Sequence, residues 1–323
     1  MDLTELAAAV AAAPTVVGEG ARTQWEVGNP VGDAVTVRAP AGVVRYEPAD
    51  MTITVGAATR FAQLDAILAE HGQECPLDPR DPSATVGGVL ACGLSGIRRL
   101  RHGPLRDHVL EVRFVTGDGR IVKGGGPTVK NVTGYDVPRL IVGSFGTLGV
   151  LGQVTLRCRP RARAASWSRG TASATDVYRP ASVLWDGEHL FVRREGTEAE
   201  LEGAGTVPGF EPCDAPALPD GAHRGRVSVE PGAVCALGRA LARGDVRWCA
   251  EIGVGTVHVA TDTLDALAAV RVVAHAHGGW MLREAGGDGL DGFGSPLPNA
   301  PLMRRIKAAF DPDGKLAPGR LPL

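Results

Sequence analysis

The feature that most limits what this chain can become is its glycine: 44 of its 323 residues, set between apolar runs rather than gathered in one flexible tract. That is well above the ~7% of ordinary globular chains. Glycine at such junctions lets backbone turn tightly, or approach a ligand with no Cβ in the way. Three glycine-containing segments matter most: Gly18 to Thr23, Pro79 to Gly103, and Lys130 to Val150. Short strand-like and helix-like runs separate them, so the chain reads as a packed α+β scaffold whose loops face a ligand. Its length is too great for one ordinary core and suits one large or two medium domains, of which two is the better fit.

A helix over residues 4 to 12 and a strand over Thr15 to Val17 open the pattern. A strand at Met51 to Val55 leads to a helix from Arg60, with Phe61, Leu64, Ile67 and Leu68 on one stripe and Gly72 at its end. Ser83 to Gly96 holds too many glycines for a stable exposed helix and reads as a ligand-facing stretch. Gly117-Asp118-Gly119 between two apolar runs predicts a hairpin. From Val150 to Arg159 the residues alternate as in a strand with one exposed face, which closes the first domain. Pro160 to Thr175 reads as a crossover. Beyond it the pattern predicts a hairpin around Asp186-Gly187, further strand within Val246 to Ala260, and a helix capped by Asp262. That helix carries Leu264, Leu267, Val270 and Val273, stops at Gly278 and Gly279, and precedes a strand at Trp280 to Arg283. A last helix has Pro301 in its first turn and Leu302, Ile306 and Phe310 on one stripe. The division expected is 1–160, 161–300, and a tail 301–323 that returns to the first domain.

A net charge of -2 and a pI near 6.5 give no basic field to draw nucleic acid or anionic lipid, so a small molecule or a protein is the expected partner. The six cysteines form no C-x-x-C pair, which argues against zinc, iron–sulfur ligation or a disulfide framework and suits a reducing cytoplasm. His275 and His277 are two apart, on different helix faces, so with His258 they predict no metal site. Met1 to Pro14 carries Asp2 and Glu5 and no basic n-region, unlike a secretory signal, and no run reaches the ~18 apolar residues of a membrane span.

Gly18-Glu19-Gly20-Ala21-Arg22-Thr23 follows a strand and can offer backbone N–H groups to a phosphate. It is not a Rossmann fingerprint, because Thr23 takes the sixth position and Gln24 to Pro30 carries Gly and Pro instead of opening a helix. A second cluster runs Pro79-Arg80-Asp81-Pro82-Ser83-Ala84-Thr85-Val86-Gly87-Gly88, then Ala91-Cys92-Gly93-Leu94-Ser95-Gly96 and Arg101-His102-Gly103. A third runs Lys130-Asn131-Val132-Thr133-Gly134-Tyr135-Asp136, then Gly143-Ser144-Phe145-Gly146-Thr147-Leu148-Gly149-Val150. In this order the segments resemble the flavin-binding domain of the vanillyl-alcohol oxidase and p-cresol methylhydroxylase superfamily. Within it they are most similar to the FAD-binding accessory subunits of bacterial glycolate oxidases. The resemblance covers residues 14 to 160 and returns in the tail Arg304 to Pro312.

The resemblance implies a two-domain p-cresol methylhydroxylase-type fold with a second α+β cap domain. FAD would lie extended over the first domain, its pyrophosphate on the glycine loops. The residues it implies for the cofactor are Gly18, Gly20, Arg22, Thr23, Pro79, Ser83, Ala84, Thr85, Gly87, Gly88, Gly93, Ser95, Gly96, His102, Gly103, Asp136, Gly146, Gly149 and Val150. Two phosphates need several N–H donors at short range, which Gly18, Gly20, Gly87 and Gly88 would allow. The chain departs from its relatives at Glu19, an acid in the phosphate loop, and at Ala317, where they have Asn. His102 and Cys92 are the candidates for a covalent flavin bond. Arg98, Arg99 and Arg101 form a basic run, read as a partner-docking face, a phosphate clamp or a solvated loop.

Oxidising a 2-hydroxy acid needs a cation for the carboxylate and a base for the hydroxyl proton. Arg283 is the carboxylate candidate, and no base can be named. Catalytic relatives carry a histidine-rich metal motif that this chain lacks, and an acid where it has Phe145. The expected role is therefore that of an FAD-binding subunit in a complex with a second flavin subunit and an iron–sulfur subunit, cytoplasmic and reaching a membrane only through its partners. Two alternatives stay open: a self-sufficient FAD-dependent oxidoreductase, and a flavin-free scaffold.

Overall fold

The computed structural model describes residues 1–126, 135–171, 177–203, 209–286, 289–294, 297 and 299–323. The Lys130 to Gly134 portion of the third cluster lies outside them.

An antiparallel five-stranded sheet organises the first part of the chain, in the order Val43–Glu47, Thr52–Gly56, Val150–Arg157, Val109–Val115, Ile121–Gly125. The Val109/Ile121 pair is the hairpin that Asp-Gly predicted. The helices Phe61–Ala69 and Val86–Cys92 lay Leu64, Leu68, Val89 and Leu90 on Ile53, Phe114, Val154 and Leu156 in one apolar cluster. Each such leucine contributes ~1.5–3 kcal/mol by leaving water. A second cluster joins Leu6 and Val10 of the Leu3–Ala12 helix to Val16, Val115, Val150 and Leu316. The strand Val150–Arg157 thus sits mid-sheet between two cores. Only Arg157 in it is exposed, not a whole face as its alternation predicts.

Two further expectations change for related reasons. Ser83 to Gly96 contains a helix, Val86–Cys92, because the segment is buried: a Cβ on Gly87 would lie 2.8 Å from Ala57 Cβ and 2.9 Å from its carbonyl oxygen. Glycine weakens a solvated helix, but here it lets one press against backbone. Within the supposed crossover, Ala164–Gly170 is a strand, held by pairing to Leu190–Gly196 and Phe210–Cys213 rather than by its own pattern.

The rest of the chain forms an antiparallel eight-stranded sheet. Its order is Phe210–Cys213, Ala164–Gly170, Leu190–Gly196, Ser182–Trp185, Arg247–Glu251, Thr256–Thr261, His223–Ser228, Trp280–Ala285. Period-two alternation sends Val227, Val257, Val259 and Met281 into a core under the helices Val234–Leu241 and Leu264–Ala276. The alternate residues, Arg226, Ser228, Thr256 and Leu282, face the first sheet's unit, where Arg226 Nη1 donates to the Ser95 carbonyl at 2.7 Å. Thr263, not Asp262, caps the Leu264–Ala276 helix, accepting from Ala266 N at 3.2 Å. Asp262 instead pairs with Arg247 at 2.7 Å. The final helix, Ala300–Phe310, packs Ile306 and Phe310 on the first core, and Lys307 Nζ donates to the Thr147 carbonyl at 2.8 Å.

The basic run divides into separate fates, which corrects its reading as one patch. Arg98 is buried between the units, its Nε 2.8 Å from Asp78 and its Nη1 2.8 Å from Glu74 and 3.3 Å from Glu195. Burial opposes its charge, but Asp78 and Glu74 outweigh that and hold it protonated. Arg101 donates to the Glu195 carbonyl at 2.9 Å. Arg99 alone of the three is exposed without an ion pair or side-chain hydrogen bond among the described residues.

Candidate functional site

A cleft of about 900 Å³, its open mouth included, runs between the Gly18–Trp25 loop and the Thr85–Cys92 and Ser144–Leu151 segments. The strand Val16–Gly18, paired in parallel with Val35–Val37, fixes one end of the loop. The Trp25 N–H, bonded to the Arg22 carbonyl at 3.2 Å, closes the other. Between them Arg22 adopts φ 60°, a left-handed turn that curls the backbone. The N–H groups of Gly20, Ala21, Arg22, Thr23 and Gln24 donate to no acceptor among the described residues, and all five residues line the cleft. Five consecutive N–H groups without a protein acceptor, on a curled loop that lines the cleft, are the kind of donor set that binds an anion.

Side chains reinforce it. Trp25 has two guanidinium groups over its ring, with Arg22 Cζ 4.8 Å and Arg320 Cζ 5.5 Å from the centroid. Arg320, in the tail, is buried and donates only to the Asn29 and Trp25 carbonyls, at 2.8 and 2.6 Å, so its charge meets no carboxylate among the described residues. Burial lowers its pKa, as expected of a cation without an anion beside it. Gln24 Oε1 is buried without a donor. Glu19 does not oppose this field alone: Arg22 reaches it at 2.5 Å and Arg38 at 3.5 Å. Burial works to raise its carboxyl pKa, yet those arginines bring it below the usual value. The Cys92 thiol, pushed up to about 12 by burial, is held neutral.

Of the residues read from sequence, Gly18, Gly20, Arg22, Thr23, Thr85, Gly87, Gly88, Gly146, Gly149 and Val150 line this cleft. Gly93 and Ser95 line a second cleft, which shares Cys92 and Phe145 with the first. Pro79, Ser83, Ala84, Gly96, His102, Gly103, Asp136 and Arg283 line neither. Asp136 is an exposed helix cap for Arg139 N at 3.1 Å, and Ser83 N closes a turn onto Asp81 at 2.8 Å. His102 lies 3.1 Å from Glu195, in a cluster with Glu74 whose cation is Arg98. Arg283 spends its guanidinium on the Gly28 and Gly286 carbonyls, at 2.6 and 2.7 Å. Gly87 and Gly88 line the cleft but are not donors to it: their N–H groups go to the Ala57 carbonyl at 2.7 Å and Thr85 Oγ1 at 3.3 Å. Sequence reasoning missed Gln24, Trp25 and Arg320. An aromatic directly after a glycine loop was the one available signal.

The Escherichia coli (strain K12) glycolate oxidase subunit GlcE is 32% identical over 340 aligned positions, which cover 95% of this chain and 92% of that protein. The chain belongs to the GlcE family of p-cresol methylhydroxylase-type flavoproteins. A family model described as an FAD binding domain matches residues 2–125, which hold the donor loop and the Val86–Cys92 helix. The D-lactate dehydrogenase of Archaeoglobus fulgidus is 43% identical over 108 residues, 33% of this chain and 24% of that protein. In fold the chain matches alkyldihydroxyacetonephosphate synthase with a TM-score of 0.67 at 14% identity, over 98% of this chain and 74% of that one. FAD is the cofactor, and the chain is an FAD-dependent oxidoreductase acting in 2-hydroxy-acid oxidation. The site suits FAD on its own terms: five open N–H donors and the uncompensated Arg320 match a pyrophosphate, and Phe145 and Trp25 supply apolar wall. Bound there, FAD supplies two-electron redox chemistry, while the chain's own groups bind and orient it. Among the described residues no helix is long and apolar enough to cross a membrane.

Proposed function

We propose that this chain is the FAD-binding subunit of a glycolate oxidase-like complex that oxidises a small 2-hydroxy acid. It exchanges electrons with a second flavin subunit and an iron–sulfur subunit in the cytoplasm, and any membrane contact runs through those partners. The observation that carries the reading is the row of open N–H donors from Gly20 to Gln24. Likeness to GlcE along nearly the whole of both chains supports the subunit role. Separate apolar clusters in the two sheets support a division at 160, with a cap over 161–300 and the tail 301–323 bound back to the first unit. The cofactor contacts are the cleft-lining residues Gly18, Gly20, Arg22, Thr23, Thr85, Gly146, Gly149 and Val150, with Gln24, Trp25 and Arg320 added.

Expression with and without its genomic neighbours tests this. The isolated chain should retain FAD, release it on acid precipitation, and fail to oxidise glycolate with an artificial acceptor. Robust turnover by the isolated chain would overturn the subunit reading in favour of a self-sufficient oxidoreductase. A colourless chain that still assembles would favour the scaffold.

A further inference from the structure

We propose that the second cleft binds a small carboxylate with Arg99 as its anion anchor. The class of ligand rests on the proposed function, whereas the site itself rests on geometry. The cleft, of about 710 Å³ with its mouth, lies between the polar face of the eight-stranded sheet and the first unit. It shares Cys92 and Phe145 with the cofactor cleft as lining residues.

Its charge is simple to count. Two arginines line it. Arg226 is answered by Glu284 at 2.6 Å and the Ser95 carbonyl at 2.7 Å. Arg99 has no such answer among the described residues, so the cleft carries one uncompensated guanidinium. Strand register supplies the rest. Ser228 stands opposite Thr256 on one side and Trp280 on the other, so the three form a row on a single face of the sheet. Neither the Ser228 nor the Thr256 hydroxyl makes a hydrogen bond among the described residues. Trp280, Leu282 and Phe293 form apolar wall. One free guanidinium fork, two open hydroxyls and a short apolar wall match a molecule that bears a carboxylate, a hydroxyl and few carbons. Neighbouring Arg98 and Arg101 cannot serve, because both are committed within the protein.

The test is titration of the full chain, FAD-loaded and FAD-free, with glycolate, oxalate and inorganic phosphate, followed by calorimetry and by tryptophan fluorescence. Saturable carboxylate binding is expected, weaker in salt. Arg99→Gln should weaken it at least about tenfold and Ser228→Ala about threefold, with FAD content and melting temperature unchanged. Arg106→Gln, at an exposed position outside the cleft, should change nothing. Trp280→Phe should abolish the fluorescence response while calorimetric binding persists. If FAD is retained but no carboxylate saturates, or Arg99→Gln binds within twofold of the parent, the inference fails and the proposed function stands. If phosphate saturates and the carboxylates do not, the ligand class is overturned. Loss of FAD binding with Arg99-dependent carboxylate binding intact would instead overturn the proposed function and leave this site.

Discussion

Adding one methyl group at Gly20 should cost most of the FAD affinity. A Cβ there would lie 2.1 Å from Thr85 Oγ1, where ordinary contact begins near 3.4 Å, so something must move by over an ångström. Thr85 is not free to yield, because its Oγ1 caps the Val86–Cys92 helix at the Gly88 N–H. If it rotates away the cap is lost, at ~1 kcal/mol of stability. If the loop withdraws instead, its N–H donors move away from the cleft. Hydrogen bonds to a charged group are worth ~1.5–3 kcal/mol each. Two donors out of reach therefore weaken FAD by ~3–6 kcal/mol, or ~10²- to 10⁴-fold in Kd. Flavin fluorescence during titration of FAD-free protein measures this, with circular dichroism to confirm folding. Deleting the obstructing hydroxyl supplies the control: Gly20→Ala with Thr85→Ala should regain most of the affinity while keeping the stability loss of the missing cap. Binding by Gly20→Ala within about threefold of the parent, or a double variant no better than the single, would refute the reasoning.

Glu19→Gln leaves Arg22 and Arg38 unanswered, and should tighten FAD by up to ~1 kcal/mol at low ionic strength, fading as salt rises; equal affinity at both salts would count against it. Arg98→Met leaves Glu74, Asp78 and Glu195 without their buried cation and should cost ~3–5 kcal/mol in denaturant unfolding, a loss below ~1 kcal/mol being the contrary result. His108 is buried with Nε2 unpartnered, and burial, its largest influence, depresses its pKa below the ordinary histidine value of 6.5. Its neutral form is the folded one, so its contribution is full above pH 6.5 and is lost as pH falls through the lower folded value. His108→Leu should accordingly flatten the fall of Tm with acidity below that pH, and an unchanged slope would reject the linkage.

Much of the fold was legible because its signals are local. Asp-Gly hairpins, the Phe61–Ala69 stripe and the Leu264–Ala276 stripe each depend on residues within one element. What escaped depends on partners distant in the chain. The strand Ala164–Gly170 carries little alternation and is made a strand by Leu190–Gly196. The glycine-rich helix Val86–Cys92 is stable only because Ala57 and Thr85 receive it. At the site, the donor loop could be read from Gly18 to Thr23, but Arg320 could not. It reaches Trp25 across most of the chain's length, through the returning tail.

The run at Arg98 to Arg101 shows why charge type and proximity in sequence do not settle role. A short helical turn, Arg99–His102, points successive side chains in different directions. Arg98 therefore meets three carboxylates from two units, and Arg101 meets a carbonyl. Arg99, between them, is left with solvent and a cleft. Reversing all three charges would thus confound a buried structural ion, a backbone clamp and a ligand contact, and loss of assembly in that triple variant would say nothing about a docking face. Single substitutions separate them. Arg98→Met should lower stability with FAD and carboxylate affinity intact in the folded fraction, whereas Arg99→Gln should weaken the carboxylate alone and leave stability and FAD unchanged. If both variants lost stability equally and bound ligand equally, the division read from the structure would be wrong, and the run would be the solvated patch its sequence suggests.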